Sequence, residues 1–158
     1  MHKKILILGI GNILYRDEGI GSHIIKELKK ITLPSNIEVV DGGVASLDIL
    51  LSLEKIDKLI IIDAIKLGKT PGTIYKLKYK DLTPEIELKN LSLHQLNLLD
   101  ALSLAKNIGM LPPEVLILGV EPQKVRMGLN LSPKVKEKIP HLIEEILKEC
   151  SLPIELNT

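Results

Sequence analysis

Residues 4–12 read KILILGIGN and residues 18–30 read EGIGSHIIKELKK, and the change of period between these two stretches decides the fold. Lys3 to Gly9 is a short apolar run, Ile5 to Leu8 behind two lysines, that stops at glycine, as a strand covered on both faces requires and an amphipathic helix does not. In the second stretch Ile20, Ile24, Ile25 and Leu28 recur at helical spacing, which predicts a helix from about Glu18 to Lys30, ended by Pro34. The same alternation continues outward. Ile37 to Asp41 forms a second strand stopping at Gly42-Gly43, Ser46 to Glu54 a short helix, and Lys58 to Asp63 a third strand whose core, Leu59 to Ile62, suits a central position. Gly72 to Leu77 alternates and enters through the Pro71-Gly72 turn, so it reads as an edge strand. After a polar stretch from Tyr79 to Asn90, Ser92 and Gln95 make a capping box for a helix reaching about Asn107. Glu114 to Val120 is another buried strand, and Ser132 caps a last helix that Pro140 kinks or divides before Cys150. The expected architecture is a single α/β domain over residues 1–158, a three-layer α/β/α sandwich with a mostly parallel sheet of about five strands and helices on both faces.

Composition removes several functions. Isoleucine and leucine supply 53 of 158 residues, while Phe and Trp are absent and Tyr occurs three times, so there are few aromatic platforms for base stacking. Lys+Arg is 21 against Asp+Glu 20, without the basic excess that a duplex binder needs, and no nucleic-acid partner is expected. No run approaches the roughly 18 apolar residues that span a bilayer, and Ile5 to Ile10 is too short for a signal peptide. One cysteine, Cys150, cannot close an internal disulfide. Together these features lead us to expect a cytoplasmic protein with no membrane partner. Nineteen Lys against two Arg, with much Glu, also resembles the composition of heat-adapted proteins.

In a sheet of this kind the ligand crevice lies beyond the carboxyl ends of the strands. The polar residues there are Asn12, Asp17 and Glu18, then Asp41, Asp63 and Glu121. Dinucleotide binding fails because the third glycine of G-x-G-x-x-G would fall on Leu14 and the helix begins too late to face a pyrophosphate. A phospho-acceptor domain fits poorly too, since its acidic pair belongs directly at the strand end and its last strand ends in Lys. A metal or hydrolytic site can be drawn from Glu18, Asp63 and His94. Two carboxylates and an imidazole suit a divalent transition metal such as nickel, zinc or iron with open positions. Helix starts favour the Glu18 carboxylate and keep the His94 ring neutral.

Spacing does not make these three converge. Asp63 would equally serve to hydrogen-bond a loop amide, Glu18 to place a charge at a helix start, and His94 to sit exposed near a cap. Asp17 is read as a loop or cap residue and Asp41 as a turn-fixing one. His2, His23 and His141 have no nameable partner, and Cys150 has no adjacent base to make it a nucleophile.

Several motifs occur in order: Gly9-Ile10-Gly11-Asn12, Asp17-Glu18-Gly19-Ile20-Gly21, Asp41-Gly42-Gly43, Ile61-Ile62-Asp63-Ala64-Ile65, Pro71-Gly72-Thr73, Ser92-Leu93-His94-Gln95 and Gly119-Val120-Glu121-Pro122. In order and spacing they resemble the hydrogenase maturation endopeptidases, from Lys4 to about Lys148, with the departures in loops. The resemblance implies a peptidase that removes a C-terminal extension from a [NiFe] hydrogenase large-subunit precursor after nickel insertion. It implies that Glu18, Asp63 and His94 are catalytic and metal-contacting, and that the nickel belongs to the substrate and is not tightly bound by the isolated protein. Bound metal could polarise the scissile carbonyl or activate water. Alternatively the two carboxylates act as an aspartic-type acid–base pair. The competing expectation from another class is a non-catalytic chaperone that binds the nickel-loaded precursor.

Overall fold

The structure, a computed structural model, describes residues 3–43, 55–82 and 93–152, with the side chains of 93–97 excepted. Five strands form one sheet: β1 (Ile5–Ile10), β2 (Ile37–Gly43), β3 (Lys58–Ala64), β4 (Ile74–Lys78) and β5 (Glu114–Val120). Their order is β2-β1-β3-β5-β4. All neighbours are parallel except β4, which runs antiparallel on β5 at the edge. The helices are α1 (Ile20–Leu28), α2 (Leu93–Asn107), α3 (Pro133–Lys136) and α4 (Ile139–Glu149). The expected Ser46 to Glu54 helix and the Ser92 cap lie outside the described residues.

The aliphatic runs become strands because both faces are covered. Alternate residues of β1, Ile5 and Ile7 on one side and Leu6 and Leu8 on the other, enter two separate cores. The first core holds Ile20, Ile24, Ile25 and Leu28 of α1 with Leu142 and Ile146 of α4. The second receives Leu98, Ala101 and Leu102 of α2. This is the expected three-layer arrangement, and every residue of β3 is buried, as a central strand requires. Helix α1 lies almost backbone-to-backbone on the sheet. A Cβ on Gly21 would stand 2.4 Å from the Ile10 carbonyl oxygen and 2.6 Å from that of Ile62, so no other residue fits without parting the layers.

Two local expectations are refined. The helix expected from Glu18 begins at Ile20, and Arg16–Gly19 forms a 3₁₀ turn ahead of it. The last helix is divided as expected, but the break precedes Pro140, which sits in the first turn of α4, where a missing N–H costs no helical bond. No helix among the described residues is long and apolar enough to cross a membrane.

Candidate functional site

The carboxyl edge of the sheet brings the ends of β1 and β3 against the turn that carries Glu18. Asp63, the penultimate residue of β3, is 1% exposed, and its Oδ1 accepts a hydrogen bond from the Ala64 amide at 2.8 Å. Glu18, in the 3₁₀ turn, is half-buried. Between them passes Gly11, just beyond β1, with φ +124° and its amide donating to the Gly43 carbonyl at 3.0 Å. A Cβ on Gly11 would lie 1.9 Å from the Glu18 carbonyl oxygen and 3.4 Å from Asp63 Oδ1. The Glu18 main chain and the Asp63 carboxylate are therefore close neighbours, separated only by the space that glycine leaves. His94 occupies the first turn of α2, and its side chain is outside the described residues. Among the described residues no group of three metal-ligating side chains forms.

The remaining strand-end carboxylates have structural partners. Asp17 is fully buried and accepts four hydrogen bonds: from the Gln123 and Lys124 amides, each at 2.8 Å, and from the Ser132 amide and hydroxyl, each at 2.7 Å. Burial pushes its carboxyl up, but the combined hydrogen bonds outweigh that and leave the group below its ordinary value. Ser132 does stand at the helix N-cap position, yet its hydroxyl donates to Asp17 and caps nothing, which corrects the sequence expectation. Asp17 thus ties the Glu18 turn to a loop more than 100 residues away.

Glu121 does comparable work on the other side. It is 3% exposed, and its Oε1 accepts from the Leu67 amide (2.8 Å), the Lys69 amide (3.0 Å) and the Tyr75 hydroxyl (2.7 Å). The loop after β3 is thereby held to the end of β5. Burial, reinforced by the adjacent carboxylate, pushes the Tyr75 phenol up to about 12, so it acts as a permanent donor. Asp41 lies within β2, which runs through Gly43 in place of the expected turn, and accepts from the Ser22 hydroxyl at 2.8 Å and the Gly43 amide at 3.1 Å. Cys150 is buried, and desolvation raises its thiol to about 11, against any nucleophilic role.

The sequence reasoning missed two features. Tyr75 is the hydroxyl partner of Glu121, and its only signal was an inward-facing polar tip on an edge strand. Arg16 adopts φ +49°, which no sequence rule assigns to arginine, and its buried Nε has no acceptor among the described residues.

Comparison with known proteins agrees with this architecture. A family profile described as hydrogenase maturation protease matches residues 22–149. The chain is 37% identical over 146 residues to the hydrogenase 2 maturation protease of Escherichia coli, covering 91% of this chain and 88% of that protein. It is 34% identical over 149 residues to the hydrogenase expression/formation protein HupD of Rhodobacter capsulatus, covering 93% and 71% respectively. Among solved structures, the hydrogenase maturating endopeptidase HybD from E. coli superposes with a TM-score of 0.85 at 35% identity, covering 96% of this chain and 93% of that one. The chain belongs to the hydrogenase maturation protease family, whose activity is the processing of a hydrogenase precursor.

Proposed function

We propose that this chain is an endopeptidase that removes the C-terminal extension of a [NiFe] hydrogenase large-subunit precursor, and that it recognises the nickel already held by that precursor through Glu18, Asp63 and His94. The observation that carries this is the closeness of the buried Asp63 carboxylate to the Glu18 turn across Gly11. Asp63 is buried at the strand end next to the turn that bears a second acid, a placement typical of functional carboxylates. His94, in the first turn of α2, would supply the third donor.

The chemistry of the donor set favours nickel as cargo. Two carboxylates and an imidazole, with no thiolate, bind a borderline-soft ion weakly by themselves, whereas an ion already fixed by the precursor's cysteines could complete its coordination here. Docking in this way sets the scissile bond against the carboxylates. One of them then takes a proton from the attacking water and returns it to the leaving amine. Nickel can add polarisation of the carbonyl. The test incubates the purified chain with nickel-loaded and metal-free precursor and follows product by intact mass. Cleavage of the loaded form alone, lost in His94→Ala, is expected. Equal cleavage of both forms would show that metal is not the recognition signal, and binding without cleavage would make the chain a chaperone.

A further inference from the structure

Two loops beside the candidate site expose the kind of surface that proteins normally bury. Six of the nine exposed large hydrophobic residues among the described residues are Ile13, Leu14 and Tyr15 on one loop and Val125, Met127 and Leu129 on the other. Their exposure runs from 40% at Tyr15 to 79% at Met127. The loops are zipped side by side. The Gly128 amide donates to the Leu14 carbonyl at 2.8 Å, the Arg16 amide to the Gly128 carbonyl at 2.9 Å, and Tyr15 and Gly128 form a parallel bridge. Asp17 clamps the same pair from beneath through Lys124 and Ser132. The six residues therefore form one patch, continuous with the turn that carries Glu18.

Its charge is one-sided. The chain has 19 lysines and only two arginines, and both arginines, Arg16 and Arg126, fall in these loops beside Lys124. Of the acids in and beside these loops, Asp17 and Glu121 are buried and Glu18 is half-buried at the candidate site, so the exposed charges of the patch itself are basic. Arg, Met and Tyr are the residues that interface centres favour, and a scattered set of surface apolar residues would not gather on two loops 110 positions apart. Arg16 Nε has no acceptor among the described residues, so turning that side chain onto a partner's carboxylate would cost no hydrogen bond at that atom.

We propose that this patch is the docking surface for the folded precursor, and that it takes an apolar surface edged with carboxylates next to the segment being cut. This rests on the processing function proposed above. The patch sets affinity, while Glu18 and Asp63 perform the cut. The test measures steady-state cleavage of nickel-loaded precursor by the full chain. Met127→Glu, Leu129→Glu and Arg126→Glu should each raise KM about tenfold, as expected for an interface hot spot, with kcat and Tm held. Ile108→Glu, at the opposite edge of the sheet, makes the same apolar-to-acid change on a residue 52% exposed and should leave KM unaltered. Unchanged KM in the three patch variants overturns the proposal. So does a wild-type dimer that Met127→Glu splits without altering KM, which would make the occupant a second copy. Flotation of the wild type with anionic phosphatidylglycerol vesicles, lost in Met127→Glu at unchanged KM, would overturn it in favour of a lipid surface. If the wild type binds precursor but does not cut it, the peptidase proposal fails separately. Loss of that binding in Met127→Glu would then still uphold the surface.

Discussion

Replacing Gly11 by alanine must displace the Glu18 turn, because the new Cβ meets its backbone. The new Cβ would lie 1.9 Å from the Glu18 carbonyl oxygen and 3.2 Å from its carbonyl carbon. A carbon–oxygen contact relaxes near about 3.3 Å, so the Glu18 main chain must retreat by more than about 1 Å. Misplacement of a catalytic group by about 1 Å costs on the order of 100-fold in rate. The backbone at φ +124° adds strain of about 1–2 kcal/mol. That is a minor part of the roughly 5–15 kcal/mol that holds a domain together. The expected result is a melting temperature lower by at least about 2–8 °C, the share of the φ strain alone, and a processing rate about 100-fold lower, read by intact mass on nickel-loaded precursor. Gly109→Ala is the matched control: φ there is +76°, but nothing lies within 4 Å of a Cβ, so it introduces strain without displacement. A Gly11→Ala protein that melts as expected yet cuts at the wild-type rate would refute the claim that the position of the Glu18 turn matters.

Three further outcomes are expected. Asp63→Asn should abolish processing while leaving cooperative melting nearly unchanged, since an amide oxygen can still accept from the Ala64 N–H; loss of cooperative melting would make Asp63 structural. Asp17→Asn should cost about 3 kcal/mol at neutral pH, because its NH₂ would face amides that donate. The folded carboxyl of Asp17 lies below its ordinary value of 3.8, so its stabilisation is present above that pH and lost as pH falls through the folded value. Denaturant melts should therefore show the gap between wild type and Asp17→Asn closing below pH 3.8, and a constant gap would contradict the ionised clamp. The Cys150 thiol, raised to about 11, should resist iodoacetamide at pH 8 until the chain is unfolded, and rapid labelling of the native protein would disprove its burial.

The sheet was legible because a parallel strand covered on both faces leaves an uninterrupted aliphatic run, as Ile5–Ile10 and Leu59–Ile62 do. Its edge was legible too, since the alternation in β4 follows a Pro-Gly turn. Candidate acids could be located from the same pattern, for strand ends are where polar residues interrupt it. Their roles were not separable. Asp63 and Glu121 both end central strands, and only the three donors converging on Glu121 Oε1 mark it as the anchor of a loop. The 3₁₀ turn at Arg16–Gly19 was illegible for a similar reason: the bonds that shape it come from residues 123–132, and local sequence carries no trace of partners that distant.

Adjacent acids in this fold consequently divide a task between them. Asp63 sits on a strand buried on both faces, in a position set by the whole core. Glu18 sits on a short turn outside the sheet, and the four hydrogen bonds to its neighbour Asp17 fix that turn to residues 123–132. Asp17 holds the turn while ionised, and its complete burial among four donors keeps it from solvent. Glu18 beside it is half-buried, and no hydrogen bond from the described residues engages its carboxylate. An acidic pair that reads in sequence as a candidate two-carboxylate site is therefore one anchor and one candidate reactive group, and the second acid of the candidate site comes from β3.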